Sequence, residues 1–307
     1  MAEKVGKAFA YSLIFIVSLV GNSLIGIIVF KTKNLRKPIN FFIVNMAMSD
    51  LLYPIFYFPW FLTKLYVDSD LSRGPIAQAL CKLVSFVAAT SSIVSIQTLI
   101  LIAVDRFGAV VFPLRSPLIS SKLCPIFILA TWIVAMVVVS PYLFVIKLVE
   151  YQGQLFCLIQ RNEAFAESSF SANYSLVINV VFLYFPIALL VVLYSIILIK
   201  LKLQKIPGEE MVDIEKQRAK RNKNVLTMAI AIVLGSVLCW VPWGTLNLLT
   251  LFAWDGRLPC SIIFFWSITS FMANSNCAIN PCICFIFSGN YRQGFKRLLA
   301  CFRVVQG

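Results

Sequence analysis

The sequence predicts an all-α membrane protein, a bundle of seven transmembrane helices followed by a short amphipathic interfacial helix. Three observations lead there. Of the 307 residues, 60% are apolar and 13% charged, with a mean hydropathy of +0.87. Soluble domains carry about a quarter charged residues, so a soluble fold would leave this chain short of polar surface. Apolar runs long enough to cross a bilayer recur seven times. The connections between them alternate in basic charge.

A helix needs about 20 apolar residues to cross the roughly 30 Å hydrocarbon core. On that scale the spans lie at about 8–30, 39–66, 79–111, 124–146, 172–199, 224–252 and 259–286, and residues 1–307 read as one domain. Several exceed the minimum, so tilt or extension beyond the bilayer is expected. Residues 289–301 place Tyr291, Phe295, Leu298 and Leu299 at helical spacing with Arg292, Lys296 and Arg297 between them. That pattern predicts an interfacial helix.

The segments 31–38, 106–122, 200–223 and the tail hold 4, 3, 8 and 4 of the 27 Lys and Arg, leaving 8 for the other side. The excess assigns the first set to the cytoplasm, with the N-terminus outside and the C-terminus inside. No separate signal peptide is evident, and the first span is expected to target itself. After Pro207 and Gly208, a charged run reads as an extension of span 6 and as a contact for anionic lipid.

Composition also excludes functions. There are no histidines, which disfavours hydrolases, zinc sites and haem proteins. Cys124, Cys239, Cys277, Cys282 and Cys284 stand in apolar runs as small hydrophobes, without metal-ligand spacing. The net charge of +14 is scattered among spans, so nucleic acid is not an expected partner.

Polar residues in hydrocarbon face the bundle interior and are functional candidates. Asn22, Asp50, Ser95, Asn276 and Asn280 form such a set. A carboxylate at this depth takes a proton or finds a cation. No Lys or Arg matches Asp50 in depth, so two readings stand: a sodium ion held by Asp50, Ser95, Asn276 and Asn280, or a protonated Asp50 in interhelical hydrogen bonds. Asp105 and Arg106 adjoin at the inner end of span 3. Pro141, Pro186, Pro242 and Pro281, in spans 4 to 7, are candidate kinks and hinges.

In order along the chain, Gly21-Asn22, Asn45 to Asp50, Cys81, Asp105-Arg106-Phe107, Trp132, Pro186 with Tyr194, Cys239-Trp240-Val241-Pro242 and Asn280-Pro281 resemble the signatures of rhodopsin-like G-protein-coupled receptors, over nearly the whole chain. The resemblance implies a plasma-membrane receptor that binds an extracellular ligand and is not an enzyme. Its inner partners would be a heterotrimeric G protein and arrestin. Arg106 would pair with Asp105 at rest and engage the G protein once the inner half of span 6 swings outward about Pro242, with Trp240 sensing the ligand. Asn280 would reach toward Asp50, and Pro281 would loosen span 7. The only energy for such a shift is the ligand's differential affinity for the two packings.

The resemblance also pairs Cys81 with Cys157 in a disulfide, reasonable in the oxidising exterior. Cys260 lacks an obvious outer partner. Cys301 is either a palmitoylation site or a free juxtamembrane thiol. Asn173 opens a glycosylation sequon that abuts span 5.

Within that family a retinal receptor needs a span 7 lysine, where this chain has Asn274, and an aminergic receptor a span 3 aspartate, where it has Ala88. The remaining expectation is a peptide ligand, with a lipid or small apolar ligand as the alternative. Ala88 and Ala89 would leave room at the pocket centre. Trp60, Trp243 and Trp266 offer aromatic walls or core packing, and Asn247 an amide. The outer face carries 8 basic residues against 7 acids (Glu3, Asp68, Asp70, Glu150, Glu163, Glu167 and Asp255), so charge does not steer the choice. A transporter would predict an internal repeat, and the halves show none. A receptor-shaped protein that signals weakly, or only with a partner receptor, is the serious rival.

The clearest departure from the family is Cys284, where the family places a tyrosine whose hydroxyl bridges by water to the span 5 tyrosine. A thiol is shorter and a weaker donor. That bridge to Tyr194 should be missing and the active state less well latched.

Overall fold

A computed structural model describes residues 2–66, 74–112, 118–151, 154–159, 168–203, 213–254 and 258–305. Seven of its helices are long and apolar enough to cross a membrane. Spans 1 to 3 are the helices Ala2–Lys31, Pro38–Tyr66 and Pro75–Val111. Span 4 is Cys124–Val139 with the short helix Tyr142–Val145 beyond it. Span 5 runs from Ser168–Asn179 through a π-helical turn, Val180–Tyr184, into Phe185–Leu203. Spans 6 and 7 are Asp213–Phe252 and Ile263–Phe287, and the amphipathic helix is Gly289–Val305.

The expected spans therefore stand, with ends displaced by a few residues. Span 6 gains the charged extension from Asp213, while Pro207 and Gly208 lie outside the described residues, as do Asp68, Asp70, Glu163, Glu167 and Asp255. Pro141 stands at an interruption within span 4: the helix Cys124–Val139 breaks just before it, Ser140 N takes the Val137 carbonyl that Pro141 cannot serve, at 3.3 Å, and Tyr142–Val145 continues the span. Pro186 has no N–H to give the carbonyl of Phe182, four residues back, and that carbonyl lies within the π turn, which ends at Tyr184, two residues before the proline.

Between spans 4 and 5 lies a hairpin absent from the sequence reading, β1 (Ile146–Tyr151) antiparallel to β2 (Gln154–Ile159). Its register sets Leu148 opposite Cys157.

Close helix approach is purchased by small residues where two backbones meet. A Cβ on Gly21 would stand 2.7 Å from Pro281 Cβ, and one on Gly294 2.5 Å from Ile28 Cγ2. Glycine is therefore needed where span 1 meets span 7 and where it meets the amphipathic helix. The inner half of the bundle is filled by one apolar cluster that includes Ile25, Phe42, Met46, Ile102, Tyr194, Ile232 and Cys284. Tyr291 extends it from the amphipathic helix, its ring edge-on to Phe285 at 6.3 Å and its hydroxyl donating to Asn40 Oδ1 at 3.2 Å. Burial holds the Tyr291 hydroxyl well above its usual pKa range, so it stays a neutral donor.

A buried polar network joins spans 2, 3 and 4. Trp132 Nε1 donates to Asn45 Oδ1 at 2.8 Å, and Asn45 Nδ2 donates to Thr98 Oγ1 at 2.9 Å and reaches Thr131 Oγ1 at 3.3 Å. Polar side chains this deep stay satisfied only by bonding across helices.

Candidate receptor switch and ligand face

Pro281 has no N–H, so the helix leaves the carbonyl of Cys277, four residues earlier, without its regular donor. Asn22 Nδ2 donates to that carbonyl at 2.9 Å, and Ser18 Oγ donates to it at 3.2 Å. Pro54 does the same to the carbonyl of Asp50, and Ser18 Oγ lies 3.4 Å from that oxygen too. Span 1 thus supplies donors to two carbonyls that prolines release in spans 2 and 7.

On the side-chain level, Asn280 Nδ2 donates to Asp50 Oδ2 at 2.7 Å, and the Ser95 hydroxyl bonds the same carboxyl group. Asp50, Ser95, Asn276 and Asn280 are all buried, and Ser91 ties span 3 to the Ser49 carbonyl at 2.7 Å. The amide oxygens of Asn22, Asn276 and Asn280 are buried without a hydrogen-bond partner among the described residues. Of the four residues expected to hold a cation, Ser95 and Asn280 meet the Asp50 carboxyl group directly, and Asn276 is buried in span 7 with its amide oxygen unpartnered among the described residues. Asn22, a member of the wider polar set, serves the Cys277 carbonyl.

Near the C-terminal end of span 3 the Arg106 guanidinium pairs with the Asp105 carboxylate, donating through Nε at 3.0 Å and also through Nη2. Their side chains are 16% and 9% exposed, enough shelter to make the pair more than a solvated surface contact. Phe107, the third residue of the triplet, packs partly buried against the inner core and edge-on to Phe112 at 6.0 Å. Tyr194 is buried in that cluster with Cys284, and its hydroxyl has no partner among the described residues. Cys284 is fully buried.

Span 6 places Trp240 edge-on to Trp243, centroids 6.0 Å apart, with Pro242 in the same helix. The indole N–H of Trp240 is buried and has no partner among the described residues. One turn outward, Gly244 meets span 5 so closely that a Cβ would stand 2.6 Å from Leu183 Cδ2. Tyr184 and Thr245 share a hydroxyl–hydroxyl hydrogen bond of 2.9 Å beside it.

At the opposite end of the bundle from Arg106 lie residues that the sequence suggested would meet a ligand. Trp60, Ala88, Trp243, Asn247 and Trp266 are half-buried. Asn274 is different. It is buried, accepts a hydrogen bond from the Tyr53 hydroxyl and donates to Tyr11 at 2.9 Å. Tyr11 stacks on Phe61 at 4.2 Å, and Tyr53 on Tyr57 at 4.9 Å. These tyrosines join spans 1, 2 and 7 and escaped the sequence reading, since a tyrosine in an apolar run reads equally well as an interface aromatic.

The Cys81–Cys157 disulfide is present, with Cα atoms 5.7 Å apart, and fastens the hairpin to span 3. Gln78 supports the same junction, donating to the Ile146 carbonyl at 3.1 Å and accepting from Leu148 N at 2.8 Å. Cys260 is free and exposed. Asn173 is exposed on the first helical segment of span 5, Ser168–Asn179. Cys301 falls in the amphipathic helix, with its side chain outside the described residues.

A profile described as the 7 transmembrane receptor (rhodopsin family) matches residues 21–283, and the chain belongs to that family. It is a family of receptors rather than enzymes. The chain is 29% identical over 297 residues to the RYamide receptor of Drosophila melanogaster, covering 94% of this chain and 62% of that one. It is 31% identical over 300 residues to Neuropeptide FF receptor 1 of Homo sapiens, covering 94% and 68%. It is 29% identical over 294 residues to the QRFP-like peptide receptor of Branchiostoma floridae, covering 95% and 76%. The chain thus spans about two thirds of the length of the first two relatives.

Proposed function

We propose that the chain is a plasma-membrane receptor for a peptide, with its N-terminus outside and its C-terminus inside, and that it drives nucleotide exchange on a heterotrimeric G protein. The observation that carries the reading is the sheltered Asp105–Arg106 pair at the inner end of span 3, a charge clasp that a change in helix packing can open. The relatives' names support a peptide over a lipid or a small apolar ligand, since they refer to RYamide, neuropeptide FF and QRFP-like peptides.

The residues suit a two-state device. The hairpin held by Cys81–Cys157 would frame the outer mouth in this orientation, and Trp240, edge-on to Trp243, would be the contact that senses the ligand. A ligand that prefers one packing of Trp240 shifts the inner half of span 6 about Pro242 by that preference alone. Arg106 then leaves Asp105 for the G protein, and arrestin competes for the same inner face. At rest, the Asp50 carboxylate would hold sodium together with the oxygens of Ser95, Asn276 and Asn280, hard donors that suit that ion; the contacts of Ser95 and Asn280 with Asp50 support this reading. Bound there, sodium would supply the counter-charge that Asp50 lacks.

The test is nucleotide exchange on purified G proteins of each class, using membranes that contain the chain and a panel of the peptides for which the relatives are named. Peptide-dependent acceleration with one class is expected. Silence across the panel and all classes, with surface expression confirmed, would overturn the reading in favour of a receptor-like protein that needs a partner receptor.

A further inference from the structure

The turn after span 1 and the amphipathic helix enclose a cleft of ≈ 340 Å³, lined by Lys31, Thr32, Lys33, Asn34, Gly294 and Arg297, with Leu298 at its side. This is at the small end of ligand pockets, which run from about 300 to 1,000 Å³. Three of the lining side chains are cationic and none is acidic. Thr32 and Asn34 add a hydroxyl and an amide, both hydrogen-bond donors.

The walls are fixed from below. Leu35 is buried, and Asn40 Nδ2 donates to its carbonyl at 2.7 Å. Tyr291 bonds Asn40 in turn, so the turn and the amphipathic helix share one support. Gly294 allows that helix to lie against Ile28. Arg36 donates to the Phe30 carbonyl at 2.6 Å, which satisfies an oxygen that the end of span 1 would otherwise leave facing an incoming anion.

The position selects the ligand's carrier. Lys31 is the last residue of an apolar membrane-crossing helix, and Leu298 packs on the inner core while Leu299 is exposed beside it. We propose that this cleft binds a phosphate group bearing more than one negative charge, carried on the headgroup of a membrane lipid. Two lysines and an arginine at the edge of the apolar core meet such a headgroup while its acyl chains remain in the bilayer. Only the assignment of the cleft to the inner leaflet rests on the proposed orientation.

Nanodiscs expose both leaflets, so the test depends on neither orientation nor G-protein coupling. The chain is placed in phosphatidylcholine nanodiscs containing a few per cent of a fluorescent bisphosphorylated inositol lipid, and binding is read by energy transfer. The double variant Lys33→Glu with Arg297→Glu is expected to weaken binding roughly tenfold or more. Lys200→Glu with Lys202→Glu, exposed at the same end of span 5, is expected to leave it unchanged. Equal losses in both variants would reduce the effect to general surface attraction and overturn the site. Water-soluble inositol bisphosphate binding as tightly as the lipid would overturn the lipid as carrier. In the native chain, amine labelling read by mass spectrometry is expected to show Lys31 and Lys33 protected when the lipid is present. Unchanged labelling would also overturn the proposal.

Discussion

The side-chain amide of Asn22 donates at 2.9 Å to the carbonyl of Cys277, the one backbone acceptor that Pro281 leaves without a helical donor. A proline inside a membrane helix is tolerated when a neighbouring helix satisfies the freed carbonyl. Span 1 performs that service with Asn22 and Ser18, so the weak point of span 7 is held from outside rather than from within.

Asn22→Leu should therefore destabilise the bundle by about 1–2 kcal/mol, the scale of an interhelical hydrogen bond plus an acceptor left unserved in hydrocarbon. Thermal melting in detergent is the readout. Ser18 remains at 3.2 Å and should limit the loss, so Asn22→Leu with Ser18→Ala should cost more than Asn22→Leu alone.

Gly21 sits one residue away, where a Cβ would stand 2.7 Å from Pro281 Cβ. Gly21→Val forces the two backbones apart, and overpacking of this kind costs about 1–3 kcal/mol. The melting temperature should fall. Gly26→Val, at a position with nothing within 4 Å, should leave it nearly unchanged.

Asp50→Asn removes the charge from the carboxyl group that Asn280 and Ser95 meet while keeping the shape. Sodium should raise the melting temperature of the parent and lower its agonist affinity, and the variant should lose both responses. Identical sodium dependence in the two would refute cation binding and leave the hydrogen-bonded acid.

Cys284→Tyr inserts a ring into a fully buried position of the inner core. The resting packing has to give way, and the new hydroxyl can reach toward Tyr194, whose own has no partner among the described residues. Both effects favour the active packing. Basal exchange should rise at matched expression while the melting temperature falls, and equal or lower basal exchange would count against the account.

The spans were legible because apolar runs of bilayer length admit few other readings, and the contacts of Asn280 and Ser95 with Asp50 were legible because polar groups at that depth must find one another. The clasp between Asp105 and Arg106 and the pairing of Cys81 with Cys157 followed from family resemblance. The hairpin carried a signal that went unused, two runs rich in Ile, Leu and Val separated by Gln152-Gly153, a spacing that favours a tight turn. The break of span 4 at Pro141 was legible because a proline in an apolar run of bilayer length removes a helical donor wherever it stands. The roles of Ser18, Gln78, Tyr11 and Tyr53 depend on which helix faces which, and their local sequence does not encode that.

The most direct measurement of the central claim is agonist-stimulated nucleotide exchange in the parent and in Arg106→Ala, with surface expression and melting temperature matched. The account predicts that the parent accelerates exchange and that the variant, though folded and still binding ligand, loses most of that acceleration. An Arg106→Ala protein that stimulates exchange as well as the parent would contradict it.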